Sequence, residues 1–286
     1  MLPRTRPEAG RPLRDGALAV TWLGHSTVLL EAGGRTVLTD PVWSDRVSPF
    51  PTVGPRRWVP PPLSLEALPR LDLVLVSHNH YDHLDRPTVK RLAALQPEAE
   101  WAAPLGVGAL LRRCGARLVR ECTWWDDLVA GGVRVACTPA RHFSARGILD
   151  RFASLWCGWS VAMGSRRIYF AGDTAYHPSF AEIARQGGPF DLVLLPIGAY
   201  EPRWFMGPVH LSPEEAVRAY GDLCSVHREA AARPAMLAIH WGTYKLSDEP
   251  MHEPPIRVRA AWEQAGLPDE DLWILAQGET RVLPGH

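Results

Sequence analysis

The hexapeptide His78-Asn79-His80-Tyr81-Asp82-His83 places three imidazoles and a carboxylate directly after the strand-like run LDLVLVS. Imidazole nitrogens and carboxylate oxygens are donors that zinc, manganese and iron all accept. On a tight loop, His78 and His80 can converge on one ion, while Asp82 and His83, just beyond, turn toward a second. One loop cannot complete two coordination spheres, so distant ligands are required. Candidates stand where apolar runs end: His142 in TPARHF, Asp173 in YFAGDT and His240 in LAIHWG. The bland alternative is a solvated, His-rich turn that binds metal adventitiously. Three strand-end residues with the chemistry of a two-metal site tell against it. Singly, each of the three is an ordinary capping or hydrogen-bonding group, and only the set carries the expectation.

Such ligands need a rigid frame. The runs ALAVTWLG, STVLLEAGGRTVLTD and LDLVLVSH read as strands, with Gly33-Gly34 marking a hairpin. Further apolar runs, VRVACTP, RRIYFAGD and DLVLLPIG, alternate with helical patterns over 87–95, 106–113, 178–186, 212–226 and 255–265, which is the α/β signature. The polar residues begin where the strands stop, so they should share one rim of the sheets. Residues 45–62 are too rich in proline for a central strand and too apolar for a simple linker, and read as an ordered surface loop. Residues 1–16 read as a flexible arm and 17–286 as a single domain.

The chain has 286 residues, 46% hydrophobic and 22% charged, which suits a folded globular protein. Lys+Arg and Asp+Glu are equal at 31, so no overall field points to nucleic acid, and an anionic substrate must be held locally. Five cysteines without a CxxC pair argue against a disulfide scaffold or a thiolate zinc knuckle, and fit a reducing compartment. No apolar run is long enough for a signal core or a bilayer span. The expected location is cytoplasmic, at the inner membrane surface where it is peripheral.

The pattern HNHYDH, followed at long intervals by His142, Asp173 in GDT and His240, resembles the HxHxDH…H…D…H ligand set of the metallo-β-lactamase superfamily. The wider context is closer to one branch. TWLGHST (21–27), LTDPVWSDRVSPF (38–50), WWDD (124–127), PIGAYEPRWFM (196–206), HLSPEEAVR (210–218), AIHWGTY (238–244) and EPP (253–255) resemble N-acyl-phosphatidylethanolamine-hydrolysing phospholipase D. The resemblance implies an α/β fold, the αββα sandwich of two packed mixed β-sheets with helices on the outer faces. It implies that His78, His80 and His142 hold one metal, that Asp82, His83 and His240 hold the other, and that Asp173 bridges them. Two divalent ions, zinc first and manganese or iron also suited, would activate a bridging water as hydroxide. The reaction implied is hydrolysis of N-acylphosphatidylethanolamine-like phospholipids to N-acylethanolamine and phosphatidic acid. Asp82, Asp173 and His210 are the expected catalytic residues.

The same activated water would serve a metallo-lactonase or a small-phosphodiester or organophosphate hydrolase. A non-catalytic lipid- or metal-binding protein is the reading outside enzymes, and the presence of all seven proposed ligands speaks against it.

Outside the ligand set, His210 precedes a helix whose start is signalled by Ser212 and Glu215, a capping box. It either meets the phosphate or leaving alkoxide, or merely positions its loop. His25 reads as a hydrogen-bond partner of a ligand or of backbone. Tyr200, Glu201, Arg203, Trp204, Phe205 and Met206 are the expected substrate-binding residues, although such aromatics more often fill a core. The stretch His142–Trp159 reads either as a cover over the site or as a surface that touches a membrane. Compatible partners are a phospholipid or other phosphodiester, a membrane contacted peripherally, and a second copy in a homodimer. The stretch 224–235 and the C-terminal DEDLWILAQGETRVLPGH fall outside the recognisable motifs and would bear on oligomer contacts or the groove.

Overall fold

A computed structural model describes residues 2–50, 52–225 and 233–285. The chain lays down one sheet and then the other. Strands β1 (Leu18–Gly24), β2 (Thr27–Ala32), β3 (Arg35–Thr39), β4 (Leu73–Leu75), β5 (Glu100–Pro104) and β6 (Leu118–Cys122) build the first sheet. Strands β7 (Asp127–Ala130), β8 (Val133–Thr138), β9 (Gly158–Met163), β10 (Arg166–Phe170), β11 (Leu192–Pro196), β12 (Ala235–Ile239) and β13 (Leu272–Trp273) build the second, and β14 (Thr280–Leu283) returns to the edge of the first. The orders are β14-β1-β2-β3-β4-β5-β6 and β13-β12-β11-β10-β9-β8-β7. Both sheets are mixed: β3 to β6 and β10 to β13 run parallel, and the remaining pairs are antiparallel. At the β2–β3 hairpin Ala32 pairs with Arg35, and Gly33 and Gly34 have φ of 56° and 70°, the left-handed pair that a two-residue hairpin turn requires.

Side-chain alternation divides the core. Leu73 and Leu75 of β4 face the second sheet, joining Trp22, Trp159, Phe170 and Leu194 in the layer between the sheets. Val74, between them, points outward to Val89, Leu92 and Leu111 of the helices α1 (Arg86–Leu95) and α2 (Gly108–Arg113). The outer face of the second sheet is covered by α3 (Phe180–Gly187) and, after the single turn α4 (Arg203–Met206), by α5 (Pro213–Ser225) and α6 (Glu253–Gln264). This is the expected αββα sandwich. The five helical patterns end within two residues of the observed helices, α4 being the addition.

The loop after β3 is pinned by Arg57, whose guanidinium donates to the carbonyls of Val42 at 2.6 Å and Ser44 at 3.3 Å and lies 4.8 Å over the Tyr244 ring. Residues 2–16 run along the first sheet, Thr5 and Gln277 pairing through backbone and Gly10 N–H donating to Glu31. The C-terminal stretch supplies an edge strand to each sheet, and Gln277 donates to Gly242 O and Thr243 Oγ1. Of the stretch 224–235, residues 226–232 lie outside the described residues. All five cysteines are free. Among the described residues no helix is long and apolar enough to cross a membrane.

Candidate metal centre

Parallel strands end together, and the ligand candidates sit on that shared rim. His78 and His80 follow β4, Asp173 follows β10, His240 follows β12, and His142 lies four residues past β8. Among the described residues four overlapping groups have donor atoms within 4.8 Å of one another: His78, His80 and His142, the first cluster; His25, Asp82, His83 and His240, the second; Asp40 with His78 and His83; and Asp173 with His142 and His210. Asp173 lies between the first and second clusters. Its Oδ2 is 3.1 Å from His83 Nε2 and 3.2 Å from His240 Nε2 on one side, and 3.8 Å from His142 Nε2 and 4.0 Å from His78 Nε2 on the other. Asp82 Oδ2 belongs to the second cluster alone, 3.4 Å from His83 Nε2 and 3.5 Å from His240 Nε2.

The backbone is bent to achieve this. His25, Asp40 and His240 have φ of 55°, 32° and 60°, left-handed conformations that cost an L-residue on the order of 1 kcal/mol each. Gly172, at φ 60°, could carry no side chain, because a Cβ would stand 2.6 Å from Ser77 Cβ and 2.8 Å from Cys157 O. That close approach brings Asp173 onto the 78–83 loop.

Hydrogen bonds outside the clusters fix which ring nitrogen faces inward. Val209 O lies 2.9 Å from His142 Nδ1, and a carbonyl only accepts, so Nδ1 carries the proton and Nε2 turns its lone pair to the cluster. Asp40 Oδ2 holds His83 Nδ1 at 2.6 Å in the same manner. The Ser77 hydroxyl donates to Asp40 Oδ2 at 2.6 Å, so at 2.9 Å it accepts from His78 Nδ1, and His78 Nε2 is the third inward lone pair. Outer acceptors of this kind orient metal-binding histidines and raise their basicity. Inside, His83 Nε2, both nitrogens of His240 and Asp173 Oδ1 are buried without a hydrogen bond. Bare lone pairs beside carboxylates fit a divalent cation.

The electrostatics agree. Burial pushes the Asp82 and Asp173 carboxyls up, yet the adjoining histidines outweigh it and hold both well below the usual carboxylate range. Burial, reinforced by neighbouring histidines, keeps His78 neutral and far below its ordinary value, and burial does the same to His142. His83 and His240 move the other way, because Asp173 and Asp82 outweigh burial, and His240 rises to about 9. Carboxylates that draw protons onto buried imidazoles supply the field that favours a cation in their place.

His25 donates from Nε2 to Asp82 Oδ2 at 2.9 Å and is pushed down to about 3 by burial and by His240. His210 meets the His142 ring edge-on with centroids 5.0 Å apart, and its Nδ1, 3.9 Å from Asp173 Oδ2, has no hydrogen bond. Burial lowers it to about 4. The capping box beneath it forms, Ser212 N–H donating to Glu215 at 2.9 Å and Glu215 N–H to Ser212 Oγ at 3.2 Å.

The 200–206 segment divides. Tyr200 is buried, its hydroxyl donating to Glu253 at 2.8 Å beneath the Arg257 guanidinium. Glu201 accepts from Arg203 N–H, and the Arg203 side chain holds Glu215 at 2.7 Å and the His210 carbonyl at 3.1 Å. Trp204 and Phe205 are exposed and Met206 half-buried. Beyond His142, Phe143 packs 4.5 Å from the His80 ring and 4.9 Å from His142, covering the first cluster. The residue missed by sequence reasoning is Asp40. It stands at the end of β3, so the strand-end criterion that selected His142, Asp173 and His240 would have selected it.

A family model described as Beta-lactamase superfamily domain matches residues 35–241. An uncharacterized protein of Mycobacterium tuberculosis is 47% identical over 270 residues, which span 91% of this chain and 70% of the relative. A Caenorhabditis elegans protein named N-acyl-phosphatidylethanolamine-hydrolyzing phospholipase D 1 is 44% identical over 242 residues, 81% of this chain and 66% of the relative. Among solved structures, a metallo hydrolase from the hyperthermophilic archaeon Ignicoccus hospitalis superposes with a TM-score of 0.65 at 20% identity, covering 93% of this chain and 98% of the other, a likeness of fold.

Proposed function

The chain belongs to the β-lactamase superfamily and has the metallo-β-lactamase fold, and on that premise we propose that it is a metal-dependent phosphodiesterase of phospholipase D type. Its substrates are N-acylphosphatidylethanolamine-like phospholipids, cleaved to N-acylethanolamine and phosphatidic acid. The observation that carries the reading is Asp173 Oδ2, one carboxylate oxygen within 4.0 Å of imidazoles from both clusters. A shared carboxylate between two nitrogen-rich donor sets suits a two-ion centre. In this reading His78, His80 and His142 would hold one ion, Asp82, His83 and His240 the other, with Asp173 serving both. Two divalent ions, zinc first among them, would acidify water and neutralise the charge that grows on phosphoryl oxygens.

The protein's own groups do the positioning. At neutral pH His210 is an uncharged imidazole, since its pKa is lowered to about 4. An uncharged ring that carries an N–H can hydrogen-bond a phosphoryl oxygen or the leaving oxygen, the two roles that the position of His210 allows. Arg203, committed to the His210 carbonyl and to Glu215, sets the height of that ring. Tyr200 and Glu201 anchor the loop, and Trp204, Phe205 and Met206 offer the apolar side that acyl chains would follow. The name of the C. elegans relative supports the substrate class.

The test is elemental analysis of purified protein together with hydrolysis of N-acylphosphatidylethanolamine before chelation, after it, and after metal return. About two ions per chain with chelator-sensitive release of phosphatidic acid is the expected result. Full metal content with turnover of lactones and none of phosphodiesters would sink the phospholipase reading and keep the metal centre. In the same assay His210→Ala should keep its metal and lose about 10²-fold in rate.

A further inference from the structure

Of the exposed large apolar side chains among the described residues, the three most exposed, Leu149, Ile148 and Trp204, lie on two segments that lead from the first cluster. Ile148 and Leu149 are 98% and 99% exposed at the tip of the loop that follows His142. Trp204 and Phe205, 81% and 63% exposed, occupy α4. Both elements are tethered to the first cluster. Phe152 lies 6.4 Å from Phe143, whose ring covers His80 and His142. Five residues after Phe205, His210 meets the His142 ring edge-on, and Val209 O holds the His142 ring. Scattered single exposed hydrophobics need no explanation, but a paired set on two elements tied to one site does.

Two exposed arginines flank the loop that carries Ile148 and Leu149. Arg151 is exposed, its guanidinium 5.0 Å over Phe143 and 4.9 Å over Phe152, and Arg141 next to His142 is exposed as well. The nearest carboxylate in sequence, Asp150, is turned inward, accepting the backbone N–H groups of Arg146 at 2.9 Å and Gly147 at 2.7 Å. Apolar tips flanked by unopposed arginines have the composition of an interfacial lipid contact, where the apolar groups enter the headgroup layer and the cations meet phosphates.

We propose that the 143–152 loop and α4 form a docking rim that seats the mouth of the metal centre on an anionic phospholipid bilayer. Ile148, Leu149, Trp204 and Phe205 are the inserting residues, and Arg141 and Arg151 face the phosphates. The inference rests on the phospholipid reading above for its substrate, and a membrane-seated mouth would let a lipid enter without crossing water with its acyl chains exposed. Co-sedimentation of metal-loaded protein with phosphatidylglycerol and with phosphatidylcholine vesicles tests it. The unmodified protein should prefer phosphatidylglycerol, Ile148→Ser/Leu149→Ser should lower vesicle affinity by about tenfold or more, and Arg151→Gln should weaken binding to phosphatidylglycerol alone. Hydrolysis of a soluble, monomeric phosphodiester should be unchanged in the Ile148/Leu149 variant. Unmodified protein left in the supernatant with every vesicle, or a double variant that binds as well as its parent, overturns the proposal. So would a lipid-free dimer that the double substitution splits, with no vesicle binding by either form, for the rim would then belong to a second copy. Loss of vesicle binding in the variant without phosphodiester turnover by any form supports the rim while removing the proposed activity.

Discussion

The metal cage and the apolar rim meet through His142 and Phe143, yet they are held by opposite means. In the cage three histidines are held from outside by backbone or by another side chain: His142 by Val209, His83 by Asp40, His78 by Ser77. In the rim the inserting side chains touch solvent, and the bonds that exist, such as those of Asp150, shape the loop rather than fix its tips. Chemistry that depends on ångström placement needs over-determined groups, whereas a surface that must meet lipid needs only exposed area. The difference predicts that substitutions in the cage alter metal and rate, and that those at Ile148 and Leu149 in the rim alter neither metal content nor turnover of a soluble phosphodiester.

The largest effect should come from Asp173→Asn, which removes the negative oxygen shared by both clusters. Metal analysis should show loss of bound ion, and hydrolysis should fall to the level of chelated protein; activity retained in metal-verified variant would show that Asp173 joins nothing. Next is Asp40→Asn, outside both proposed ligand sets. It disturbs the acceptors that orient His83 and, through Ser77, His78, so competition titration should report metal affinity lowered by about 10–100-fold. An unchanged affinity would mean that the strands alone orient the rings.

A buried histidine away from the cage serves as a control for burial by itself. His177 stacks 4.2 Å from Phe180, and burial, helped by Arg141, lowers it from 6.5 to about 4. Since the folded value lies below the unfolded one, its neutral form is favourable to the fold above pH 6.5, and stability is lost as pH falls from there toward 4. Urea unfolding should lose about 2 kcal/mol between pH 7 and pH 5 from this group, a slope that His177→Phe removes. A slope untouched by that substitution would place the acid sensitivity in the cage histidines. The smallest effect belongs to the rim, where Ile148→Ser/Leu149→Ser should change unfolding free energy by no more than about 0.5 kcal/mol. A larger loss would mean that the tips pack on the protein after all.

Much of the cage was legible because its first four donors lie in six consecutive residues, and local spacing survives folding. The strand-end positions of His142, Asp173 and His240 followed from where apolar runs stop. Asp40 satisfied the same criterion and was passed over, because its importance comes from the parallel pairing of β3 with β4, where Asp40 N–H donates to Leu75 O and its carboxylate reaches Ser77 and His83. Tyr200 and Trp204 were read as one substrate-binding group; the structure buries the first against Glu253 and exposes the second. Four residues of spacing cannot tell a ring turned inward from one turned out when a short loop and a single helical turn intervene.

The sequence by itself determined the donor chemistry, the alternation that makes two sheets, and the helices that cover them, because each is a property of neighbouring residues. Tertiary structure alone decided which oxygen stands between the clusters, which ring nitrogens face inward, and which apolar residues stay outside. Those depend on the approach of β4, β10 and β12 from two different sheets, which brings Asp173 Oδ2 within 4.0 Å of His78 and 3.2 Å of His240, a closeness that no local pattern encodes.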